Sequence, residues 1–204
     1  MTNLETALKP LSVSRETLAK LDAYHTALIK WQKAKNLVAP STLKEAPIRH
    51  FMDSAQLAPL LSAEGIDGPI LDIGSGAGFP GLVLSIMGFG PVHLVESNGK
   101  KSSFLRTVIR ETKAEALVHN DRIEALSPFP IAAVTARACA TVVQLLDWSA
   151  PFLSKDTKMV LLKGAKWQEE LTEAEKTWMM QCKAVPSKTD PTGRILILSE
   201  LQRR

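Results

Sequence analysis

The sequence predicts an α/β protein with a mostly parallel sheet, helices on both faces of that sheet, and an N-terminal helical extension. From Pro69 onward, short apolar runs alternate with segments of helical periodicity, and the first run leads into a glycine-rich turn within LDIGSGAGFPG. Before Pro69, the apolar residues recur at helical spacing. Strands that alternate with helices build parallel sheets through right-handed crossovers. We therefore expect residues 1–66 to form a helical extension packed on the core, and residues 67–204 to form one structural unit.

The extension is predicted to contain two helices. The first covers residues 14–35, where Ser14 is a suitable N-terminal residue and the apolar side chains follow three- and four-residue steps. These side chains are Leu18, Leu21, Tyr24, Leu28 and Trp31. The second helix is predicted over residues 43–62, because Gly65 and a following Asp-Gly-Pro then break the pattern.

The remaining elements are predicted from hydrophobic period and from turn residues. Strands are expected over residues 69–73, 91–96, 114–120, 131–138, 158–164 and 194–200. Helices are expected over residues 79–87, 98–112, 141–150 and 166–180.

Composition indicates a cytoplasmic, globular protein. The chain has 204 residues, of which 45% are hydrophobic and 23% are charged, as in ordinary single domains. No apolar run is long enough to span a membrane, and no basic segment with an apolar core opens the chain. Two cysteines without a C-x-x-C motif and four scattered histidines favour a reducing compartment and no bound metal. The net charge of +4 is compatible with a polyanionic partner.

The glycine-rich turn fits two cofactor classes. Gly74, Gly76 and Gly78 form G-x-G-x-G, which is common in S-adenosylmethionine enzymes, whereas Gly76, Gly78 and Gly81 form the dinucleotide fingerprint G-x-G-x-x-G. A carboxylate at Asp72 favours the first register, because it suits a zwitterionic, cationic ligand better than a diphosphate. An NAD-dependent oxidoreductase is the alternative, but the chain lacks a substrate domain and an acid–base set for hydride transfer.

Two further signals follow the next strands. Glu96 ends the second strand, where an acid commonly hydrogen-bonds the ribose hydroxyls of a nucleoside cofactor. The alternative for Glu96 is that it caps the helix that starts near Ser97. Ile123 and Glu124 follow the third strand, at the turn that faces adenine in methyltransferases of this architecture, although acids are also ordinary at a helix start.

Several motifs together resemble one family closely. They are LDIGSGAGFPGLVLSI, VESNGKKSSFLRTV, NDRIEAL, TARACA and LLKG, preceded by WQKAKNLVAPSTLKEAPIRHFMDS. Their order and spacing are similar to those of the bacterial small-subunit (16S) ribosomal RNA guanine-N7 methyltransferases, also called glucose-inhibited division protein B. The resemblance covers residues 24–164. It departs from the family at Lys35 and over residues 38–40, which bears on RNA docking.

The resemblance implies a Rossmann-like class I fold that binds S-adenosylmethionine, and it assigns roles to residues of this chain. Glycine-loop residues would hold the cofactor, Glu96 its ribose, and Ile123 and Glu124 its adenine. Arg137, at the end of the fourth strand, would lie beside the cofactor and the incoming base. The full set of cofactor residues expected here is Asp72, Gly74, Gly76, Gly78, Phe79, Glu96, Ile123, Glu124 and Arg137.

Candidate substrate contacts come from two other places. Arg49, His50 and Asp53 share one helix face that the family match places over the cofactor mouth, so we expect substrate or lid contacts there. Lys163, at the end of the fifth strand, is a candidate phosphate contact, with a solvated strand-end lysine as the alternative. Seven basic residues on two helices are further candidates for phosphate contacts. They are Lys30, Lys33, Lys35, Lys100, Lys101, Arg106 and Arg110.

The residues after the fourth strand agree with N7 chemistry. The chain has no Asn/Asp-Pro-Pro-aromatic turn, which enzymes that methylate exocyclic amines commonly carry. Cys139 is near the place of a pyrimidine C5 nucleophile, but its small apolar neighbours indicate the buried start of a helix. Guanine N7 needs no deprotonation, so positioning and electrostatics suffice, and Arg137 is the one catalytic residue expected.

We therefore expect methyl transfer from S-adenosylmethionine to a guanine N7 in 16S rRNA. The expected substrate is the assembled small subunit, and the expected protein is a monomer without an obligate protein partner or membrane contact. The alternatives are a ribosome assembly factor that keeps the fold without catalysis, and a methyltransferase for another RNA nucleotide.

Overall fold

A computed structural model describes residues 3–204; Met1 and Thr2, which belong to the predicted extension, lie outside the described residues. Its centre is a seven-stranded sheet of order β3-β2-β1-β4-β5-β7-β6. The strands are β1 Ile70–Ile73, β2 Val92–Val95, β3 Ala116–His119, β4 Ala133–Arg137, β5 Lys158–Lys163, β6 Trp178–Pro186 and β7 Arg194–Arg203.

The sheet is mostly parallel, as predicted. β1 pairs in parallel with β2 and β4, while β3 and β5 extend the sheet in the same direction. β7 is antiparallel to both of its neighbours, β5 and β6. β7 is therefore the one reversed strand among the seven of the described sheet, and a hairpin joins it to β6.

Helices cover both faces of the sheet, also as predicted. The α-helices are α1 Asn3–Leu8, α2 Arg15–Lys35, α3 Asp53–Ala55, α4 Ala58–Ala63, α5 Gly81–Ile86, α6 Gly99–Thr112, α7 Val142–Ser149 and α8 Trp167–Ala174. Side chains of α1, α2, α4, α5 and α6 share one apolar core with one face of the sheet, and α7 and α8 cover the other face. Neighbouring residues of β1 divide accordingly, because side chains alternate along a strand. Ile70 enters the first core and Leu71 the second.

The long helix α2 follows the prediction closely. Ser14 is its N-cap, and the Ser14 hydroxyl accepts the backbone N–H of Thr17 at 3.1 Å. Leu21, Tyr24 and Leu28 are fully buried against the first core. The three- and four-residue spacing therefore marks the face that the helix buries.

The second predicted helix, over residues 43–62, is wrong as a single element. A short 3-10 turn at Pro40–Thr42 is followed by a π-helical segment at Pro47–Met52, and α3 and α4 come next. Proline has no backbone N–H and is favoured near the start of a helix. Pro47 and Pro59 therefore begin new helical segments instead of continuing one.

The helix predicted over residues 166–180 is also wrong in its second half. α8 ends at Ala174, and Trp178 begins β6, which pairs with β7 along its length. Trp178 is buried, and its Nε1–H donates to Asp147 at 3.1 Å. Pairing with a strand distant in sequence decides this segment, because its own pattern of mixed polar and apolar residues selects neither a helix nor a strand.

Within residues 3–204, no helix has the length and apolarity to cross a bilayer.

Candidate functional site

A cleft of about 890 Å³ opens at the carboxyl ends of the central parallel strands. This is the edge at which open α/β sheets bind ligands. Its walls come from the glycine loop after β1, from residues between 37 and 53, from the ends of β2, β4 and β5 with the residues that follow them, and from the turn between β6 and β7. The residues that line it include Arg49, His50, Asp53, Gly74, Gly76, Phe79, Glu96, Lys101, Arg137, Cys139, Lys163, Ser187, Thr189, Asp190 and Arg194.

The glycine loop after β1 needs glycine for space and for backbone conformation. Gly74 and Gly78 have φ of +66° and +98°, a region that L side chains rarely adopt. A Cβ on Gly74 would lie 2.6 Å from the Cβ of Cys139, and a Cβ on Gly78 would lie 2.6 Å from the hydroxyl of Tyr24. The loop is therefore packed closely between α2 and the residues after β4.

Tyr24 of α2 forms the floor of this loop. Its ring is fully buried and lies 5.3 Å, stacked, from the ring of Phe79, while Phe51 contacts it edge-on at 5.0 Å. The Tyr24 hydroxyl donates a hydrogen bond to the carbonyl of Ala77 within the loop. The sequence predicted Tyr24 as a core residue of α2, and its helical spacing carried no sign of this long-range contact.

Glu96 holds the loop from the other side. One carboxylate oxygen accepts the backbone N–H of Gly76 at 2.9 Å, and the other accepts the N–H of Asn98 at 2.7 Å. The residue that caps α6 is Asn98, whose side chain accepts the N–H groups of Lys100 and Lys101. Glu96 therefore lies in the cleft wall and links the ends of β1 and β2.

Asp72 lies behind the loop and outside the set of residues that line the cleft. It is fully buried, and one oxygen accepts the Thr135 hydroxyl at 2.8 Å while the other has no hydrogen-bond partner. Burial raises the pKa of Asp72 to about 6, because desolvation disfavours its charged form. Its predicted cofactor contact remains a prediction.

Arg137 joins the end of β4 to residues 49–53, the last of which begins α3. Its Nη1 donates to the carbonyl of Arg49 at 2.9 Å, to Nδ1 of His50 at 3.1 Å and to a carboxylate oxygen of Asp53 at 3.2 Å. The guanidinium also lies over the ring of Phe79, with 5.1 Å from Cζ to the ring centroid. Arg137 is therefore held by charge, by hydrogen bonds and by a cation–π contact at the wall of the cleft.

The hydrogen bonds around His50 define its protonation state. An arginine can only donate, so Nδ1 of His50 is the acceptor in the bond to Arg137. The other ring nitrogen, Nε2, lies 2.9 Å from the hydroxyl of Thr42, which itself donates to the carbonyl of Ala39. Nε2 therefore carries the proton. Burial, and next the Arg137 charge, lower the pKa of His50 to about 4, so the ring is neutral and both nitrogens are engaged.

The turn between β6 and β7 forms the wall that the sequence did not predict. Ser187, Thr189 and Asp190 line the cleft from this turn. Asp53, the first residue of α3, and Gln56, which caps the end of that helix, bind the turn through hydrogen bonds to its side chains and backbone. Because the predicted helix ran to residue 180 and no element was predicted over residues 181–193, no local signal placed this turn at the site.

Lys163 lines the cleft but is not a solvated lysine. Its ammonium donates to the carbonyl of Ala140 at 2.7 Å and pairs with Glu170 at 2.6 Å, and its side chain is 5% exposed. The same Glu170 carboxylate accepts the N–H of Val142 at the start of α7. Lys163 thus fixes the loop after β4 to α8, and its predicted phosphate contact remains a prediction.

Cys139 does not occupy the buried helix start that its neighbours predicted. It lies exposed in the loop before α7, and its sulfur faces inward, 3.3 Å from the carbonyl of Ile73. Desolvation of that sulfur raises the pKa of the thiol to about 11, so the thiolate required of a nucleophile is scarce at neutral pH. This disfavours the pyrimidine C5 alternative.

The other predicted site residues divide into two groups. Arg49 lines the cleft, exposed and 3.7 Å from Glu45. Gly78, Ile123 and Glu124 lie outside the set that lines it. Ile123 is buried in the second core, and Glu124 is exposed. Within the described part of the chain, no group of three or more metal-ligating side chains is placed to hold an ion.

Solved structures of low sequence identity share this fold. Magnesium protoporphyrin IX methyltransferase from Synechocystis PCC 6803, with bound SAH, superposes with a TM-score of 0.61 at 11% identity, over 91% of this chain and 99% of that chain. The ribosomal protein L11 methylase of Lactobacillus delbrueckii subsp. bulgaricus has a TM-score of 0.57 at 13% identity, over 73% of this chain and 79% of that chain. The fold is that of the class I S-adenosylmethionine-dependent methyltransferases, as the sequence predicted.

Relatives in sequence are much closer. A ribosomal RNA small subunit methyltransferase G from Rhodospirillum rubrum is 48% identical over 191 residues, which is 94% of each chain. The protein of the same name from Rhodospirillum centenum is 50% identical over 192 residues, or 94% of this chain and 88% of that one. The family model described as rRNA small subunit methyltransferase G, GidB, matches residues 17–194. These matches confirm the resemblance noted in the sequence: the chain belongs to the rRNA small subunit methyltransferase G family.

Proposed function

We propose that this protein transfers the methyl group of S-adenosylmethionine to N7 of a guanine in 16S rRNA. The observation that carries the proposal is the composition of one cleft. It combines a glycine loop held by Glu96 with the guanidinium of Arg137, and its one histidine has both ring nitrogens engaged. Such a site suits a reaction that requires alignment and charge but no proton removal.

The residues of the cleft fit S-adenosylmethionine, which would supply an electrophilic methyl group on a sulfonium. Gly74 and Gly76 would bring the backbone close to it, and Phe79 would offer an apolar face. Glu96 is 9% exposed on the cleft wall, and each of its carboxylate oxygens retains a lone pair for a ribose hydroxyl. The buried charge of Asp72 and the positions of Gly78, Ile123 and Glu124 complete the proposed cofactor residues.

Arg137 is the proposed catalytic residue. Its guanidinium donates toward the edge of a guanine that carries O6 and N7, and adenine offers an amino group in place of O6. We assign no general base. His50 is neutral, with Nδ1 accepting from Arg137 and Nε2 donating to Thr42, so it has no free lone pair for a substrate proton.

A basic face beside the cleft supports an RNA substrate. α2 and α6 pack together through Trp31 and Phe104, whose ring centroids are 5.7 Å apart. The C-terminal end of α2 leads into cleft residues 37–39, and Lys101 at the start of α6 lines the cleft as well. The seven cations predicted on these helices form no ion pair with any residue of 3–204. They are Lys30, Lys33, Lys35, Lys100, Lys101, Arg106 and Arg110.

The placement of Lys100 and Lys101 strengthens this argument. Both lie in the first turn of α6, where the helix dipole already gives a positive field and where acids are normally favoured. The two charges therefore oppose local stability and add to the attraction for phosphates. We propose that this face follows the RNA backbone, and that Arg49 and Lys163 contact the substrate at the cleft itself.

The test begins with cofactor class and continues with transfer. Calorimetric titration with S-adenosylhomocysteine and with NAD is expected to give binding of the first alone. Purified small subunits and naked 16S rRNA, each from cells lacking the enzyme, are then incubated with methyl-labelled S-adenosylmethionine, and the product is mapped by mass spectrometry. We expect N7-methylguanine at one position, with the assembled subunit as the better substrate.

The alternatives predict other results. A non-catalytic assembly factor binds subunits without transferring label, and an enzyme for another nucleotide places the label elsewhere. We further propose a cytoplasmic monomer in which residues 1–66 form an extension on a unit of residues 67–204. The shared core of α2 with α5 and α6 supports close packing of the two. Light scattering that gives a dimer at micromolar concentration would contradict the monomer.

A further inference from the structure

We propose that Asp53 is a positioning residue that sets the guanidinium of Arg137 and, together with Gln56, fixes the β6–β7 turn as the substrate-side wall of the cleft. The proposal rests on the proposed function and deepens it. It assigns a role to Asp53, to Gln56 and to the turn that neither sequence motifs nor the relatives' names supply.

The two carboxylate oxygens of Asp53 face different partners. One lies 3.2 Å from Nη1 of Arg137, in an ion pair whose side chains are 16% and 18% exposed. The other accepts the hydroxyl of Thr189 and, at 3.0 Å, an amide N–H of Gln56. A single side chain thus joins the end of β4 to a turn more than fifty residues further along the chain.

Gln56 completes the connection. It is 2% exposed, and its amide oxygen accepts the backbone N–H of Lys188 at 2.7 Å. Its amide nitrogen lies within hydrogen-bonding distance of the hydroxyls of Ser187 and Thr189, at 3.2 Å and 3.4 Å. Because a buried amide that loses its partners is costly, these contacts hold the turn in one place.

Arg137 depends on this segment for its orientation. Its three acceptors come from one stretch of chain: the carbonyl of Arg49, Nδ1 of His50 and the carboxylate of Asp53. Of these, only Asp53 is charged. Without that charge all of its acceptors are neutral, and the guanidinium loses the Coulomb attraction of its ion pair with Asp53. The guanidinium would then sample other positions in the cleft.

The turn held by Asp53 and Gln56 lies on the substrate side. Ser187, Thr189 and Asp190 line the cleft. In the proposed function the glycine loop and Glu96 hold the cofactor, which leaves this turn to the substrate. Loosening the turn should therefore affect the RNA substrate and leave the cofactor in place. This separation distinguishes positioning from a general loss of structure.

The experiment compares D53N, D53E and T189V with the wild type on small subunits. D53N keeps the shape of the side chain but removes its charge. T189V removes the Thr189 hydroxyl that donates to Asp53. T26V is the control, since the exposed Thr26 hydroxyl donates to a backbone carbonyl of its own helix, α2, and Thr26 lies outside the set of residues that line the cleft. We measure kcat and KM for the subunit, Kd for S-adenosylhomocysteine, and backbone hydrogen exchange of Lys188.

D53N is expected to lower kcat by roughly 10- to 100-fold, with the S-adenosylhomocysteine Kd unchanged. D53E should recover part of kcat. T189V should raise KM severalfold and speed exchange at Lys188, while T26V changes neither quantity. Unchanged kinetics in both D53N and T189V would overturn the proposal, as would an equal loss of S-adenosylhomocysteine affinity. If D53N fails to fold, T189V decides alone.

Failure of the proposed function gives a different result. A wild type that transfers no methyl group refutes the function. Hydrogen exchange still tests how the turn is held in that case. Equal protection of the Lys188 N–H in wild type and T189V would remove the role of Thr189, regardless of activity.

Discussion

The carboxylate of Glu96 at the end of β2 accepts the backbone N–H of Gly76 at 2.9 Å, so one acid holds the glycine loop that follows β1. Its second oxygen accepts the N–H of Asn98, and both oxygens therefore face N–H donors. A glutamine at this position must turn its own amide N–H₂ toward one of those donors. The substitution would therefore disturb both the position of the glycine loop and the proposed contact to the ribose.

We expect E96Q to weaken S-adenosylhomocysteine binding by roughly 10- to 100-fold, the range for a lost hydrogen bond to a charged group. Isothermal titration measures the change, with E111Q as control because Glu111 is exposed on α6 and lies outside the set of residues that line the cleft. A Kd within twofold of the wild type would remove Glu96 from the cofactor site.

Replacing Arg137 should separate catalysis from folding. R137A is expected to lower kcat by about 100-fold or more, because the charged group proposed to hold the guanine is lost. Circular dichroism should remain native, with a modest fall in Tm as Asp53 loses its partner. R15A, at the far end of α2, is the control. Full activity of R137A would exclude the assigned role.

Asp72 is expected to limit stability above neutral pH. Its folded pKa of about 6 exceeds the ordinary value of 3.8, so the folded state binds the proton more tightly than the unfolded state. The stabilisation that the protonated Asp72 gives to the fold is fully present below pH 3.8 and is lost as the pH rises through 6. D72N should therefore be more stable than wild type by about 1–2 kcal/mol at pH 8, where the wild type buries a charge with one unpartnered oxygen.

Urea unfolding of D72N and wild type at pH 8 and pH 5 tests this expectation, and the gain should shrink at the lower pH. Titration with S-adenosylhomocysteine on the same variant tests the predicted cofactor contact of Asp72. A destabilisation that is equal at both pH values would show that the carboxylate is required for packing and not for charge.

Histidines should make the fold acid-sensitive. Burial lowers the pKa of His25, His50, His93 and His119, in the case of His50 to about 4. The unfolded chain therefore binds more protons than the folded chain between pH 6.5 and 4, and stability falls as pH falls through that window.

The free energy of unfolding of the wild type should decrease from pH 7 to pH 5, and H50Q should reduce the slope. Methyl transfer, in contrast, should show no limb with a pKa near 6.5, since His50 stays neutral. Such a limb, abolished in H50Q, would mean that His50 exchanges a proton during the reaction.

The sequence predicted well where the signal is local. The cap at Ser14, the glycine loop and the acid at Glu96 each follow from spacing, turn chemistry or a position at a strand end. Contacts between distant segments left no such trace. The pairing of Arg137 with Asp53 spans 84 residues, and no local pattern in the sequence indicates it.

The turn between β6 and β7 was missed for the same reason. Whether Trp178–Pro186 forms a strand depends on β7, which supplies its backbone partners, and not on its own alternation. Once that strand is misassigned, the wall formed by Ser187 and Thr189 has no place in the predicted site.

The hydrogen bond from Tyr24 to Ala77 ties the glycine loop directly to α2. A truncated chain that keeps every strand but lacks α2 would expose the underside of the loop, lose the aromatic floor of Phe79, and leave Gly78 facing water. The sheet therefore depends on α2 for the shape of its glycine loop. Transferring the glycine motif alone to another protein would not reproduce the conformation of that loop. Ligand affinity of this protein should accordingly depend on the folding of α2, although no residue of that helix lines the cleft.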